Sequence, residues 1–388
     1  MDALSTSSDI TALPEAQVKT PASAMLDAMP DAMPDIVNEG MKNGAGAANG
    51  PEANNSNEVA FDFSHSPTAS SCRTDDANFA AVSRRNAGSF PIEKGATPAY
   101  DAPAYDAPAY DTETHTRALV VSCPHAGRLY PADFVATSAL DLAALRDLED
   151  YAVDWLIEGM LAHNITAITN HVGRAFLDVN RPADALDKIM FANSIDAATP
   201  SRQVKAGYGL LPRLNAARMP IHNAPLSIDE ARQRLEMVHA PYHQMLAATL
   251  DNALAQHGHY LLLDIHSMPQ TDRLGRPLAD FVLGDCLGTT IDAALGHKIS
   301  RFITDHGFSV AWNKPYAGGH ITCAYGRINT PRQSVQIEIN RALYMTTAPM
   351  PANPAHNHMT LKADGAERVA RMLGALGAML ADMLDHHS

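Results

Sequence analysis

Residues Tyr260 to Pro269 read YLLLDIHSMP. A run this short and this apolar, closed by a proline, is a buried strand rather than a helix. Strands of that texture belong to sheets covered on both faces. Asp264 and His266 stand at the strand's end, where α/β folds gather their chemistry. RALVVSCPH (Arg117 to His125) has the same form, an apolar run that ends on a histidine and then Gly127. ITAITNHVG (Ile165 to Gly173), AFLDVN (Ala175 to Asn180) and SVQIEINRALYM (Ser334 to Met345) also read as strands. Helical patterns alternate with them. LRDLEDYAVDWLIEGMLAHN (Leu145 to Asn164) reads as one helix, with Val153, Leu156, Ile157, Met160 and Leu161 on one face. A long helix opens at a Ser-x-x-Glu capping box, Ser227 and Glu230. GAERVARMLGALGAMLADML (Gly365 to Leu384) is a closing amphipathic helix. This alternation predicts an α/β fold with a mixed, mostly buried sheet flanked by helices.

The strands begin only after a long preface. Residues 1–115 are rich in Ala, Pro, Asp, Asn, Ser and Gly and contain small repeats, MPDAMPD (Met29 to Asp35) and AYDAPAYDAPAYD (Ala99 to Asp111). Such a segment has no apolar face whose burial would offset its conformational entropy. It is expected to be a disordered extension, with residues 116–388 forming the catalytic domain. The full chain of 388 residues is 46% hydrophobic, enough for a sizeable core. Its formal charge of −14 excludes a broad basic face for nucleic acid but not a local cationic pocket for an anionic metabolite. The N-terminus lacks a basic, apolar leader, and no apolar run is long enough to span a membrane. The four cysteines, Cys72, Cys123, Cys286 and Cys323, lie far apart with no C-x-x-C pair. That spacing predicts neither a disulfide framework nor a zinc knuckle, and points to a reducing, cytoplasmic setting. No sequence feature specifies an oligomeric state.

Two strand-end histidines, His125 and His266, read either as satisfied structural residues or as a pair that shares a metal. Two imidazoles and a carboxylate make the ligand set of catalytic zinc, with a position left for water. Asp264 reads either as an acceptor orienting a ring or as a strand-end cap. The third ligand is sought in LEDYAVD, at Asp150 or Glu149, which otherwise are solvated helix charges. Glu338, inside VQIEIN, is either an exposed edge carboxylate or a cleft base able to move the proton of an attacking water. Arg174 and Arg181 bracket AFLDVN and suit carboxylate binding and oxyanion stabilisation. NKPYAGGHIT (Asn313 to Thr322), with Tyr316 and Gly319, suggests a loop closing over a ligand and matches no phosphate-binding motif.

Taken in order, SCPHAGRLYP, DYAVDWL, GRAFLDVNRP, LLDIHSMP, DFVLGDCLGTT, NKPYAGGHIT and VQIEINRALYM resemble the N-formylglutamate amidohydrolase family across about residues 117–345. The resemblance implies a zinc-hydrolase core similar to carboxypeptidase A and aspartoacylase, with one Zn2+ per chain. It implies His125, His266 and Asp150 as metal ligands. Arg128 stands where carboxypeptidases place a ligand glutamate, so the third ligand departs from that pattern. Glu338 falls at the catalytic glutamate and Arg174 at the arginine that polarises the scissile carbonyl. Asn180 and Arg181, joined by Arg213 in GYGLLPR, resemble the groups that hold the substrate's carboxylates. The implied reaction splits N-formyl-L-glutamate into formate and glutamate, as in histidine degradation. The alternatives are the same chemistry on another N-acyl amino acid or a cell-wall amide, a ligand-binding relative without turnover, or a scaffold run by the extension.

Overall fold

The computed structural model describes residues 82–85, 117–195, 199–350 and 353–386. The expected disordered extension, residues 1–115, lies outside the described residues apart from the first of these segments. The strands are β1 (Val82–Arg85), β2 (Leu119–Cys123), β3 (Thr166–Asn170), β4 (Tyr260–Met268), β5 (Phe281–Gly284), β6 (Val310–Trp312), β7 (Arg332–Asn340), β8 (Met345–Met350) and β9 (Asn353–Leu361). The first seven form one sheet in the order β1-β3-β2-β4-β7-β5-β6, and β8 pairs with β9 separately. The middle of the sheet, β3-β2-β4-β7, is parallel, while β1 and β5 run antiparallel to their inner neighbours. The fold is therefore the mixed α/β sheet that the alternation predicts.

Both faces are covered, which is why β4 is buried along its whole length. On one face Val121, Leu263, Ile265 and Ile337 pack against Val369, Leu373, Leu376 and Leu380 of the helix Ala363–Asp385. On the other, Val120, Ile168 and Leu262 meet Tyr242, Leu246 and Leu250 of the helix Ala240–His257. Register then places the polar residues. Ser122 is opposite Asp264, and His266 is opposite Glu338. Residues in register on parallel neighbours share a face, so Asp264, His266, Gln336 and Glu338 form a polar patch at the carboxyl ends of β4 and β7. β7 lies between β4 and β5, so Glu338 is an interior residue and not an edge carboxylate.

Several expectations are corrected. The helix predicted over Leu145–Asn164 is broken: short helical turns at Leu142–Leu145, Arg146–Leu148, Val153–Leu156 and Glu158–Leu161 flank an extended Glu149 and a left-handed Ala152 at φ 60°. Apolar spacing cannot register that break, because the same residues stay on the core side of it. AFLDVN is a turn-rich loop in which Phe176 N–H donates to Gly173 O and Asp178 N–H to Leu210 O, while Leu177 and Val179 still enter the core. The strand predicted to reach Met345 stops at Asn340, whose side chain accepts from Ala342 N–H and starts a 3-10 turn, Arg341–Leu343. The long helix starts at its Ser227 cap but contains a π segment, Leu235–His239, just before Pro241, which has no N–H to continue the α ladder. Cys286 and Cys323, unpaired in the sequence reading, form a disulfide with Cα atoms 5.9 Å apart. Folding brings together the loop after β5 and the helix His320–Tyr325, a proximity that a separation of 37 residues does not reveal. Among the described residues no helix is long and apolar enough to cross a membrane.

Candidate metal centre

β2 carries His125 just past its end, β4 carries His266, and the extended break after Arg146–Leu148 turns Asp150 in between them. Asp150 N–H donates to His125 O at 2.9 Å, which pins the break to the end of β2. The three side chains are buried, and their ligand atoms lie within 4.8 Å of one another. Both histidines present Nδ1 to the same carboxylate oxygen. His266 Nδ1 is 2.9 Å from Asp150 Oδ2, and His125 Nδ1 is 3.4 Å from it. His125 Nδ1 is buried without a hydrogen-bond partner. Native structures seldom leave such an atom with only a long ion pair, so there is a place here for a group from outside the chain.

The opposite ring nitrogens are held. His125 Nε2 lies 2.6 Å from Asp178 Oδ1, and His266 Nε2 lies 3.2 Å from Asp264 Oδ1 and 3.0 Å from Asn180 Nδ2. A carboxylate on the far nitrogen is how proteins fix the tautomer and direction of a metal-ligating imidazole. Asp178 and Asp264 are themselves saturated. Asp178 accepts from Arg174 Nε and from Asn180 N–H, both at 2.9 Å. Asp264 accepts from Ser122 Oγ at 2.9 Å and Thr322 Oγ1 at 3.0 Å. Burial alone pushes both carboxyls up. At Asp178 the charges of Arg174, His125 and Arg181 outweigh burial and hold it well below the usual range; at Asp264 the His266 charge outweighs burial and lowers it.

Beside this cluster sits Glu338. Its Oε1 accepts from Gln336 Nε2 at 2.8 Å, and Gln336 Oε1 accepts from Gly319 N–H at 2.6 Å. Oε2 is buried and unpartnered. Burial raises Glu338 to about 7, with the His266 charge opposing and that of Asp150 adding. That is the range of a group able both to take and to give a proton near neutrality. Tyr316 belongs to the same surroundings, raised to about 12 by burial and then by the charge of Glu338.

The structure thus brings together His125, Asp150, His266, Glu338, Arg174 and Asn180, with Tyr316 and Gly319 at the margin. Glu149 is buried but turned away, toward Arg146 and Tyr130 OH. Asn180 and Arg181 also line a cavity of about 350 Å3 with Ser201, Gln203, Gly319 and His320. Arg213 is not brought to the cluster; its Nε pairs with Asp187 Oδ2 at 2.9 Å. The reading of the sequence missed Asp178, Gln336, Ser267 and Arg341. For Asp178 a signal existed, since it shares GRAFLDVNRP with Arg174, Asn180 and Arg181, but a strand assignment hid it. Two imidazoles and a carboxylate converging on an orphaned Nδ1 fit a zinc ion, whose preferred donors these are.

The chain is similar to known proteins along most of its described length. A family model for N-formylglutamate amidohydrolase matches residues 117–345. The N-formylglutamate deformylase of Pseudomonas aeruginosa is 30% identical over 234 residues, covering 58% of this chain and 82% of the relative. That of Pseudomonas putida is 29% identical over 232 residues, covering 58% and 81%. The crystal structure of an N-formylglutamate amidohydrolase from Ralstonia eutropha JMP134 superposes with a TM-score of 0.63 at 30% identity, over 71% of this chain and 97% of the other.

Proposed function

Because the chain belongs to the N-formylglutamate amidohydrolase family, we propose that it hydrolyses the amide of a small N-acylated acidic amino acid, with N-formyl-L-glutamate as substrate and formate and L-glutamate as products. The observation that carries this reading is the pairing of an orphaned His125 Nδ1, aimed with His266 at Asp150, and a buried Glu338 with a free oxygen. His125, Asp150 and His266 would hold one Zn2+, which when bound supplies Lewis acidity toward the carbonyl oxygen and the attacking water. Glu338 accepts the water's proton as oxygen attacks the formyl carbon. Arg174, tied to Asp178 through Nε, stabilises the negative charge that develops on the carbonyl oxygen. As the C–N bond breaks, Glu338 returns the proton to the leaving nitrogen. Asn180 and Arg181 receive the substrate's carboxylates on the cavity side, and Tyr316 and Gly319 close the loop over it. The glutamate released fits the last step of one histidine-degradation route.

The test is zinc content together with formate release from N-formyl-L-glutamate on protein purified without chelator. About one zinc per chain with release is expected. Zinc without release keeps the site and moves the search to other N-acyl amino acids; a protein with no zinc and no release overturns the reading. Glu338→Gln should lower turnover by about 10²–10⁴-fold while zinc stays bound, and near-wild-type turnover would remove Glu338 from its role.

A further inference from the structure

We infer that Arg341 and Ser267 form a clamp on the outer oxygen of Asp150 that makes this aspartate a one-oxygen metal ligand. The inference rests on the metal reading above and concerns residues to which that reading gives no part.

The two oxygens of Asp150 face different surroundings. Oδ2 looks at both histidine Nδ1 atoms. Oδ1 accepts from Ser267 Oγ and from Arg341 Nη2, each at 3.2 Å. The two donors are themselves joined, Arg341 Nε donating to Ser267 Oγ at 3.0 Å. Arg341 Nη2 also donates to Glu149 O at 2.6 Å, so one guanidinium holds both the side chain and the preceding peptide of Asp150.

This matters because Asp150 has no helix to hold it. It lies in the extended break between Glu149 and the left-handed Ala152, and its backbone has only the bond to His125 O and the turn to Val153. The clamp supplies the rigidity that regular structure does not. Its own base is firm: Arg341 starts the 3-10 turn capped by Asn340, whose Nδ2 reaches Leu278 O and Ala279 O. With Oδ1 occupied by two donors, one of them cationic, rotation to offer both oxygens to a metal would break a part-buried guanidinium–carboxylate bond. A metal ion held by His125, His266 and Asp150 would then take only Oδ2 from this carboxylate. Partners of this kind are worth 10–100-fold in metal affinity when removed. Arg341 is a positioning residue here, not a catalytic one.

The experiment measures zinc affinity by competition with a chromophoric chelator, on metal-free protein reloaded with Zn2+, for the parent, Arg341→Gln, Arg341→Lys, Ser267→Ala and the double variant Arg341→Gln/Ser267→Ala. Far-UV circular dichroism and thermal melts check that each is folded. The expected result is a roughly 10–100-fold weaker zinc affinity for Arg341→Gln, a smaller loss for Ser267→Ala and Arg341→Lys, and a double variant less than the product of the singles. Cobalt-substituted Arg341→Gln should shift its visible absorption toward higher coordination number. Folded Arg341→Gln with parental zinc affinity and an unaltered cobalt spectrum overturns the clamp while leaving the metal site standing. A rise in KM alone, with affinity unchanged, also overturns it and makes Arg341 a substrate contact. A parent that binds no zinc overturns both readings together.

Discussion

Gly319 shows how little room the centre leaves. Its backbone conformation, φ −91°, is open to any residue, so strain does not demand glycine there. A Cβ would instead run into the carboxamide of Asn180. That carboxamide contacts His266 Nε2 through Nδ2 and accepts from Ile321 N–H at 2.8 Å. Gly319→Ala should therefore lower formate release by tenfold or more, on the order of 1–3 kcal/mol for an overpacked site, with little change in far-UV circular dichroism. Asp178 offers a second test. It braces His125 on one oxygen and Arg174 on the other. Asp178→Asn should weaken zinc binding and turnover together, by about 10–100-fold, as loss of an orienting carboxylate does. Individual residues were unevenly visible in the sequence. His125 and His266 announce themselves by ending apolar strands. Arg341 does not, because nothing in NRALYM says that its side chain crosses to a loop 191 positions earlier.

Strands were the clearest elements to read, and the reason is burial on both faces: an apolar run bounded by turns has few other uses. Elements whose interruption serves the site were not. The break at Glu149–Ala152 and the turns of AFLDVN keep their apolar residues in the core, so the hydrophobic pattern persists while the backbone departs from it. The helix Ala240–His257 supports the second of these. His243 lies 2.9 Å from Val179 O through Nε2 and 2.9 Å from Tyr325 OH through Nδ1. Burial, and then the neighbouring His239, push it down to about 3; burial and Arg234 push His222 down to about 4. Unfolded, each titrates near 6.5. Between about pH 6.5 and those values the unfolded chain binds protons that the folded one refuses, so stability is full above the window and falls as pH drops through it. Urea unfolding should show a loss on the order of 1 kcal/mol per histidine from pH 7 to pH 5. His243→Gln should have a shallower pH slope than the parent; an identical slope would count against this account.

Across the whole molecule, the Cys286–Cys323 bond joins the loop after β5 to the helix that carries Thr322 and follows Gly319. Closing a loop of 37 residues is worth about 3–4 kcal/mol in the chain-entropy account. Dithiothreitol, or Cys286→Ser with Cys323→Ser, should lower the denaturation midpoint accordingly, and thiol counting should rise by two per chain on reduction. An unchanged midpoint would show the bond to be idle in solution. No sequence pattern foretold this pair, since the two cysteines share no motif and become neighbours only through the finished sheet.

The order of strands also sets a timetable. Asp150 and His266 stand 116 positions apart, on opposite sides of a long helical excursion, and Arg341 follows later still. A nascent chain emerging from the ribosome exposes His125 and Asp150 early, yet it owns no complete ligand set until β4 has been synthesised and slotted beside β2. Nor is that set secured before β7 arrives with Glu338 and Arg341. On the proposed ligand set, metal capture would be a near-terminal event in biogenesis. Polypeptides stalled or truncated ahead of Asn340 should reach the proteases empty, and the fraction of recovered protein carrying metal becomes a gauge of how many chains were finished.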